Sequence, residues 1–244
     1  MRAISFELCA ETLDACLVAR EGGADRIELC SALNEDGLTP SHALVHVAVQ
    51  RSGLPVHVLL RPRGGDFLYS EGEFALMRED MLHARDLGAN GFALGILRAN
   101  GRVDVERTRE LVELAAPLEV TFHRAFDVTR SLEEALEDVI SAGCRRVLTS
   151  GGARDVAAGS ASLARLVERA ARRIEVAAGG GLRLENAVPV ARASQATSFH
   201  GSVRRRVAAS GFSSQKQVFG EVAGVRHVVL AEDIRAIVDA LNKT

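Results

Sequence analysis

The feature that most constrains this chain is a regular alternation. Short β-rich runs are each followed by a helical pattern, eight times over. The strand candidates are AISFEL (3–8), RIELC (26–30), VHVLLR (56–61), GFALG (91–95), LEVTFH (118–123), RRVLT (145–149), RIEVAA (173–178) and TSFHG (197–201). Helical patterns cover 11–21, 41–51, 71–87, 105–115, 132–142, 160–171, 184–193 and 231–242. Strands separated by helices pair in parallel. Eight such units in 244 residues predict one domain over 1–244, a closed α/β (β/α)8 TIM barrel. A doubly wound open sheet shows the same alternation, but it usually has fewer strands and a Gly-rich loop after the first. Here that loop reads Cys9-Ala10-Glu11-Thr12, without a glycine.

An internal echo supports the barrel. REGGADRIELC (20–30), RDLGANGFALG (85–95) and ISAGCRRVLTS (140–150) share one plan: a helix ends, a glycine caps it, a strand begins. Glycine tolerates the left-handed backbone that such a cap needs. The stretch 203–230 breaks the pattern. It reads as an irregular segment before the last helix, with Arg204 to Arg206 on a solvated loop or over the mouth of the barrel.

Alternation along a strand sorts residues by face. With Phe6, Leu8, Ile27, Leu29, Val58, Leu60, Val120, Phe122 and Phe199 packed outward, the lumen receives Ser5, Glu7, Cys9, Arg26, Glu28, Cys30, His57, Leu59, Arg61, Thr121, His123, Ser198 and His200. Buried charges need partners. Glu7 or Glu28 would pair with Arg26 or Arg61, and an internal ion-pair network without chemistry accounts for Arg26 and His57 as well as any site does. Arg61, His123 and His200 sit at the C-terminal strand ends, where barrel enzymes place reactive groups.

The same end carries the motifs. HVLLRPRGGDFLYS (57–70) delivers Arg61 and Arg63, a Gly64-Gly65 turn, and Phe67, Leu68 and Tyr69 as a lid. Strand five ends in His123-Arg124-Ala125-Phe126-Asp127, and strand six in Thr149-Ser150-Gly151-Gly152. Gly179-Gly180-Gly181 and Gly201-Ser202 follow strands seven and eight, where backbone N–H groups of barrel enzymes cradle phosphate. Tight turns alone would also use these glycines. An anion site would therefore comprise Arg61, Arg63, Ser150, Gly179–Gly181, Gly201 and Ser202. The catalytic candidates are Glu7, Glu28, Arg61, His123, Asp127 and His200. Cys9 and Cys30 end adjacent strands on the inner face, which suits either a soft ion such as Cu(I) or ordinary core packing.

Net charge is −2, which excludes a general electrostatic attraction to nucleic acid or membrane. No apolar run spans a bilayer and the first residues lack an export signal, so four scattered cysteines read as reduced thiols in the cytoplasm.

The runs ELC (7–9), GGADRIELCSAL (22–33), GLTPS (37–41), PVHVLLRPRGGDFLYS (55–70), VTFHRAFD (120–127), RVLTSGG (146–152) and GGG (179–181) together resemble the CutC family, over residues 4 to 202. The resemblance implies a TIM barrel, a cytoplasmic and often dimeric protein, and copper binding with Cys9 and Cys30 as ligands. One departure is Ala177-Ala178, where the family usually has Met-Pro. Two functions follow. The resemblance implies a copper homeostasis protein with Cu(I) as its partner. The residues themselves favour an enzyme on an anionic or phosphorylated small molecule, since two cysteines do not account for two arginines, a lid and paired glycine loops. A purely structural barrel sits poorly with so polar a lumen.

Overall fold

The computed structural model describes residues 4–208 and 225–244. Eight parallel strands close into a barrel: β1 (Ser5–Ala10), β2 (Arg26–Leu29), β3 (Val56–Leu59), β4 (Gly91–Leu94), β5 (Glu119–Phe122), β6 (Arg146–Thr149), β7 (Glu175–Gly179) and β8 (Ser198–Gly201), with β8 paired back onto β1. Helices α1 (Leu13–Glu21), α2 (His42–Arg51), α3 (Glu71–Asp86), α4 (Val105–Ala115), α5 (Leu132–Ser141), α6 (Ser160–Ala170), α7 (Leu184–Ser194) and α8 (Ala231–Leu241) form the outer ring. The alternation in the sequence is thus the TIM barrel it predicts, and the open-sheet alternative is excluded by the β1–β8 pairing.

Local chemistry sets the element ends. Thr12, Ser41, Asp104 and Ser131 cap their helices by accepting a backbone N–H from three residues on. Ser70 and Glu73 form a reciprocal capping box at α3. Gly88 and Gly143 follow α3 and α5 at φ of +92° and +93°, the left-handed geometry expected of the repeated glycine. In the first repeat Gly23 takes that role (φ +83°) and Gly22 does not.

The main core lies between the strands and the helices. Phe6, Leu8, Ile27, Leu29, Val58, Phe92, Phe122, Val147 and Phe199 are fully buried there. Inside the barrel a second, smaller apolar cluster joins Cys9, Cys30, Leu59 and Ala93. Residues 203–230 are not irregular throughout. A two-stranded antiparallel ribbon, β9 (Arg205–Ala208) with β10 (Val225–Val228), follows β8 in the chain, with Val207 opposite Arg226. The middle of that segment lies outside the described residues. Among the described residues no helix is long and apolar enough to cross a membrane.

Phe122 joins β5 to the outer core with no exposed surface. Phe122→Ala should cost about 3–5 kcal/mol through lost burial and a cavity, read as a fall in the urea midpoint at unchanged slope.

Candidate functional site

Strand register brings the inward residues to common levels. Glu7 of β1 lies beside Arg26 of β2 and His200 of β8, Cys9 lies beside Glu28, and Glu28 beside His57. Glu7 is the hub. It accepts from Arg26 Nε at 2.6 Å and from Arg146 Nη1 at 2.7 Å, and its Oε1 lies 2.8 Å from His200 Nδ1. Burial would raise the Glu7 carboxyl, but Arg146, Arg26 and His200 together hold it well below the usual carboxylate range. Arg146 also donates to Ser198 Oγ at 3.1 Å and pairs with Glu175 at 2.8 Å. The expected Glu7–Arg26 pair is therefore present, but Arg146, which sequence reasoning passed over, is the deeper cation. Following the alternation into RRVLT would have found it, since Val147 packs outward and leaves Arg146 facing in.

Above the hub sits a mixed cluster. Cys9 Sγ lies 3.6 Å from Glu28 Oε1 and 3.8 Å from Cys30 Sγ, and His200 Nε2 lies 4.0 Å from Glu28 Oε1. Among the described residues Glu28 finds no arginine partner, and its Oε2 is buried without a hydrogen bond. Burial accordingly pushes the Glu28 carboxyl up. Cys9 is raised well above its ordinary value by the Cys30 thiol and by burial. Burial would lower His200, but Glu28, Cys9 and Glu7 outweigh it and lift the imidazole to about 10, so it carries a charge.

At the C-terminal end these groups open onto a cavity of about 860 Å³, with Cys9, Glu28, Arg61, His123, Asp127 and His200 in its wall. Gly180, Gly181, Gly201 and Ser202 line it too, whereas Gly179, Ser150 and Arg63 do not. Gly179 belongs to β7, and a side chain there would meet Leu148 Cδ1 at 2.5 Å. Arg63 turns into its own loop, bonding Glu73, Asp66 and the Leu68 carbonyl and stacking on Tyr69. Tyr69 is buried beside it, and of the three expected lid residues only Phe67 lines the cavity. Arg61 donates to the carbonyls of Glu35, Gly37 and Gly65, and its guanidinium lies 5.2 Å from the centre of the Phe67 ring. Its Nε has no hydrogen-bond partner among the described residues.

His123 Nδ1 accepts the Ala125 N–H at 3.1 Å, which leaves the ring proton on Nε2, buried and unpaired. Burial and the nearby Arg61 push His123 down to about 3, so it stays neutral. Asp127 is spent on structure, accepting from Arg124, Thr149 and the N–H groups of Ser150 and Gly152. Ser150 is held by that carboxylate and by the Ala153 carbonyl, at 2.6 Å. Arg204 and Arg205 reach the rim, where they pair with Glu11 and with Glu232 and Asp233.

The fold and site together define a barrel protein with an ionic plug in its lumen and a polar cavity at its C-terminal mouth. The model of the CutC family matches residues 4–205, and the chain belongs to that family. A family protein CutC of Chromobacterium violaceum is 47% identical over 242 residues, covering 98% of each chain. The human copper homeostasis protein cutC homolog is 43% identical over 199 residues, covering 82% of this chain and 73% of the human one. The crystal structure of CutC from Streptococcus agalactiae superposes with a TM-score of 0.76 at 32% identity, over 82% of this chain and 98% of that one.

The lumen makes stability pH-dependent. His57, lowered to about 3 by burial and Arg26, and His123, also near 3, stay neutral in the fold while the unfolded chain takes up protons below about 6.5. Stability therefore falls as pH drops from 6.5 toward 3, and the loss of the Glu7 carboxylate adds to it below about 4.5. His200 acts oppositely: its contribution is complete below 6.5 and is lost as pH rises toward 10. Urea midpoints measured across pH should peak near 6.5, with His200→Gln flattening mainly the alkaline side and His57→Gln part of the acid side, where His123 still acts.

Proposed function

We propose that this chain is an enzyme acting on a small anionic molecule held in the C-terminal cavity. The observation that carries this reading is a set of polar atoms with no hydrogen bond among the described residues: Glu28 Oε2, Arg61 Nε and His123 Nε2, on three deeply buried residues of the cavity wall, with Asp233 Oδ2 a fourth on a less buried residue of the same wall. The first three residues are 5%, 4% and 6% exposed. Buried polar atoms are nearly always paired, and leaving one unpaired costs about 1–3 kcal/mol. Three together are the signature of a wall completed by a ligand. Arg61 and His123 offer donors to an anion, and Arg61 meets carbonyls rather than a carboxylate, so its charge is available. Glu28 places a reactive carboxyl at the inner end. Gly180, Gly181, Gly201 and Ser202 fit a phosphate at the rim. The setting is taken to be the cytoplasm, where the four free cysteines would stay reduced.

One observation favours a second reading, in keeping with the family name. Cys9 and Cys30 place two sulfurs 3.8 Å apart in an apolar pocket, a donor pair that suits Cu(I). These two residues would hold the ion, which supplies a soft thiolate-bound site.

Thermal-shift screening of phosphorylated and carboxylated metabolites should find anions that stabilise the wild-type chain and act more weakly on His123→Gln. With such an anion as substrate, Glu28→Gln should lower turnover about 10²–10⁴-fold. A screen with no stabilising anion, or stabilisation indifferent to His123, overturns the enzyme reading. An anaerobic Cu(I) competition titration decides the second. Tight one-to-one binding lost in Cys9→Ser/Cys30→Ser supports it, and binding indifferent to both removes it.

A further inference from the structure

Cys9, Glu28 and His200 form a second donor set that shares Cys9 with the cysteine pair and leaves Cys30 out. Their donor atoms all lie within 4.8 Å of one another, and all three residues are buried. All three also line the cavity, so the set is open on one side. Cys30 stands outside it, with its thiol 3.6 Å from the Ala10 carbonyl that it donates to.

The surroundings fit a doubly charged ion. Glu7 Oε1 engages His200 Nδ1 at 2.8 Å, which turns Nε2 toward Cys9 and Glu28. A carboxylate behind the imidazole is how ligating histidines are oriented in metal sites. Glu28 Oε2 has no hydrogen-bond partner among the described residues. The neighbouring ions balance in pairs, Glu7 with Arg26 and Glu175 with Arg146. An incoming ion would displace the Cys9 thiol proton and the His200 Nε2 proton to solvent, so that a Cys9 thiolate and a Glu28 carboxylate offer two negative charges and a then neutral His200 the third donor. Sulfur, nitrogen and oxygen in one set suit a borderline ion better than the soft Cu(I).

We propose that Cys9 Sγ, Glu28 and His200 Nε2 bind one divalent transition-metal ion of the Zn²⁺ class, with its remaining position facing the cavity. Three protein ligands and an open position are the arrangement of catalytic rather than structural zinc. The site stands on its own geometry. Its role, polarising an anion held by Arg61 and His123, rests on the function proposed above.

Cobalt is the probe. The reduced full-length chain, titrated with CoCl₂ without oxygen, should develop four-coordinate visible bands and a near-ultraviolet thiolate-to-cobalt band, both saturating at one ion per chain. Cys9→Ser should lose the thiolate band, Cys30→Ser should keep it, and Glu28→Gln should weaken binding at least ten-fold. Should a variant fail to fold, the wild-type spectrum still decides: an aquo-cobalt spectrum alone overturns the inference. A thiolate band that survives Cys9→Ser, or vanishes with Cys30→Ser, overturns it as well. Anion stabilisation in a chain that shows no cobalt band refutes the metal site and leaves the anion reading standing. A cobalt band in a chain that no anion stabilises leaves the ion in place and removes the role given to it.

Discussion

The Glu7 carboxylate holds the interior together. It reaches Arg26 on β2, Arg146 on β6 and His200 on β8 from its own place on β1, so one side chain ties four strands across the lumen. A carboxylate this buried would be prohibitive alone, and so would either arginine. Each is tolerable because the others are present. Removal of one partner strands a charge in the interior, at a cost of about 3–5 kcal/mol. The rest of the site follows from that hub. His200 is fixed in orientation because Glu7 stands behind it, and it is kept charged by Glu28, Cys9 and Glu7 together.

The cavity wall is built differently. Its polar groups are positioned from behind by the main chain. Arg61 is held by three loop carbonyls, and His123 by the N–H of Ala125. Space for the imidazoles comes from glycine: a side chain at Gly91 would lie 2.5 Å from His57 Cε1, and one at Gly95 would lie 2.5 Å from His123 Cε1. The strand β4 and the turn after it therefore serve the site by being empty, which no search for reactive residue types would notice.

The fold was legible because its signal is repeated eight times and each repeat ends in chemistry that a sequence displays, a capping side chain or a glycine. The inner face was legible wherever a strand alternates cleanly, as in SFELC or RIELC. RRVLT was open to the same reasoning, which was not carried into it: with Val147 packed outward, Arg146 and not Arg145 turns in. Of Arg61 and Arg63, alternation placed the first on the inner face, and only the fate of the second was not legible. They sit two residues apart in one motif, yet Arg61 faces the cavity and Arg63 braces its own loop. What separates them is the position of the Glu35, Gly37 and Gly65 carbonyls on one side and of Asp66 and Glu73 on the other. Hydrogen bonds to backbone that the loop itself creates leave no residue pattern to read.

The ionic layer below the cavity has a consequence for traffic. Glu7 and Arg146 lie in the lumen beneath Cys9 and stand outside the cavity wall. Among the described residues the vessel thus has a floor of paired charges and an opening at the C-terminal mouth. A molecule that uses this opening passes the arginines at the rim on entering and again on leaving. The pace of exchange through it is then set at the threshold as much as by events at the floor.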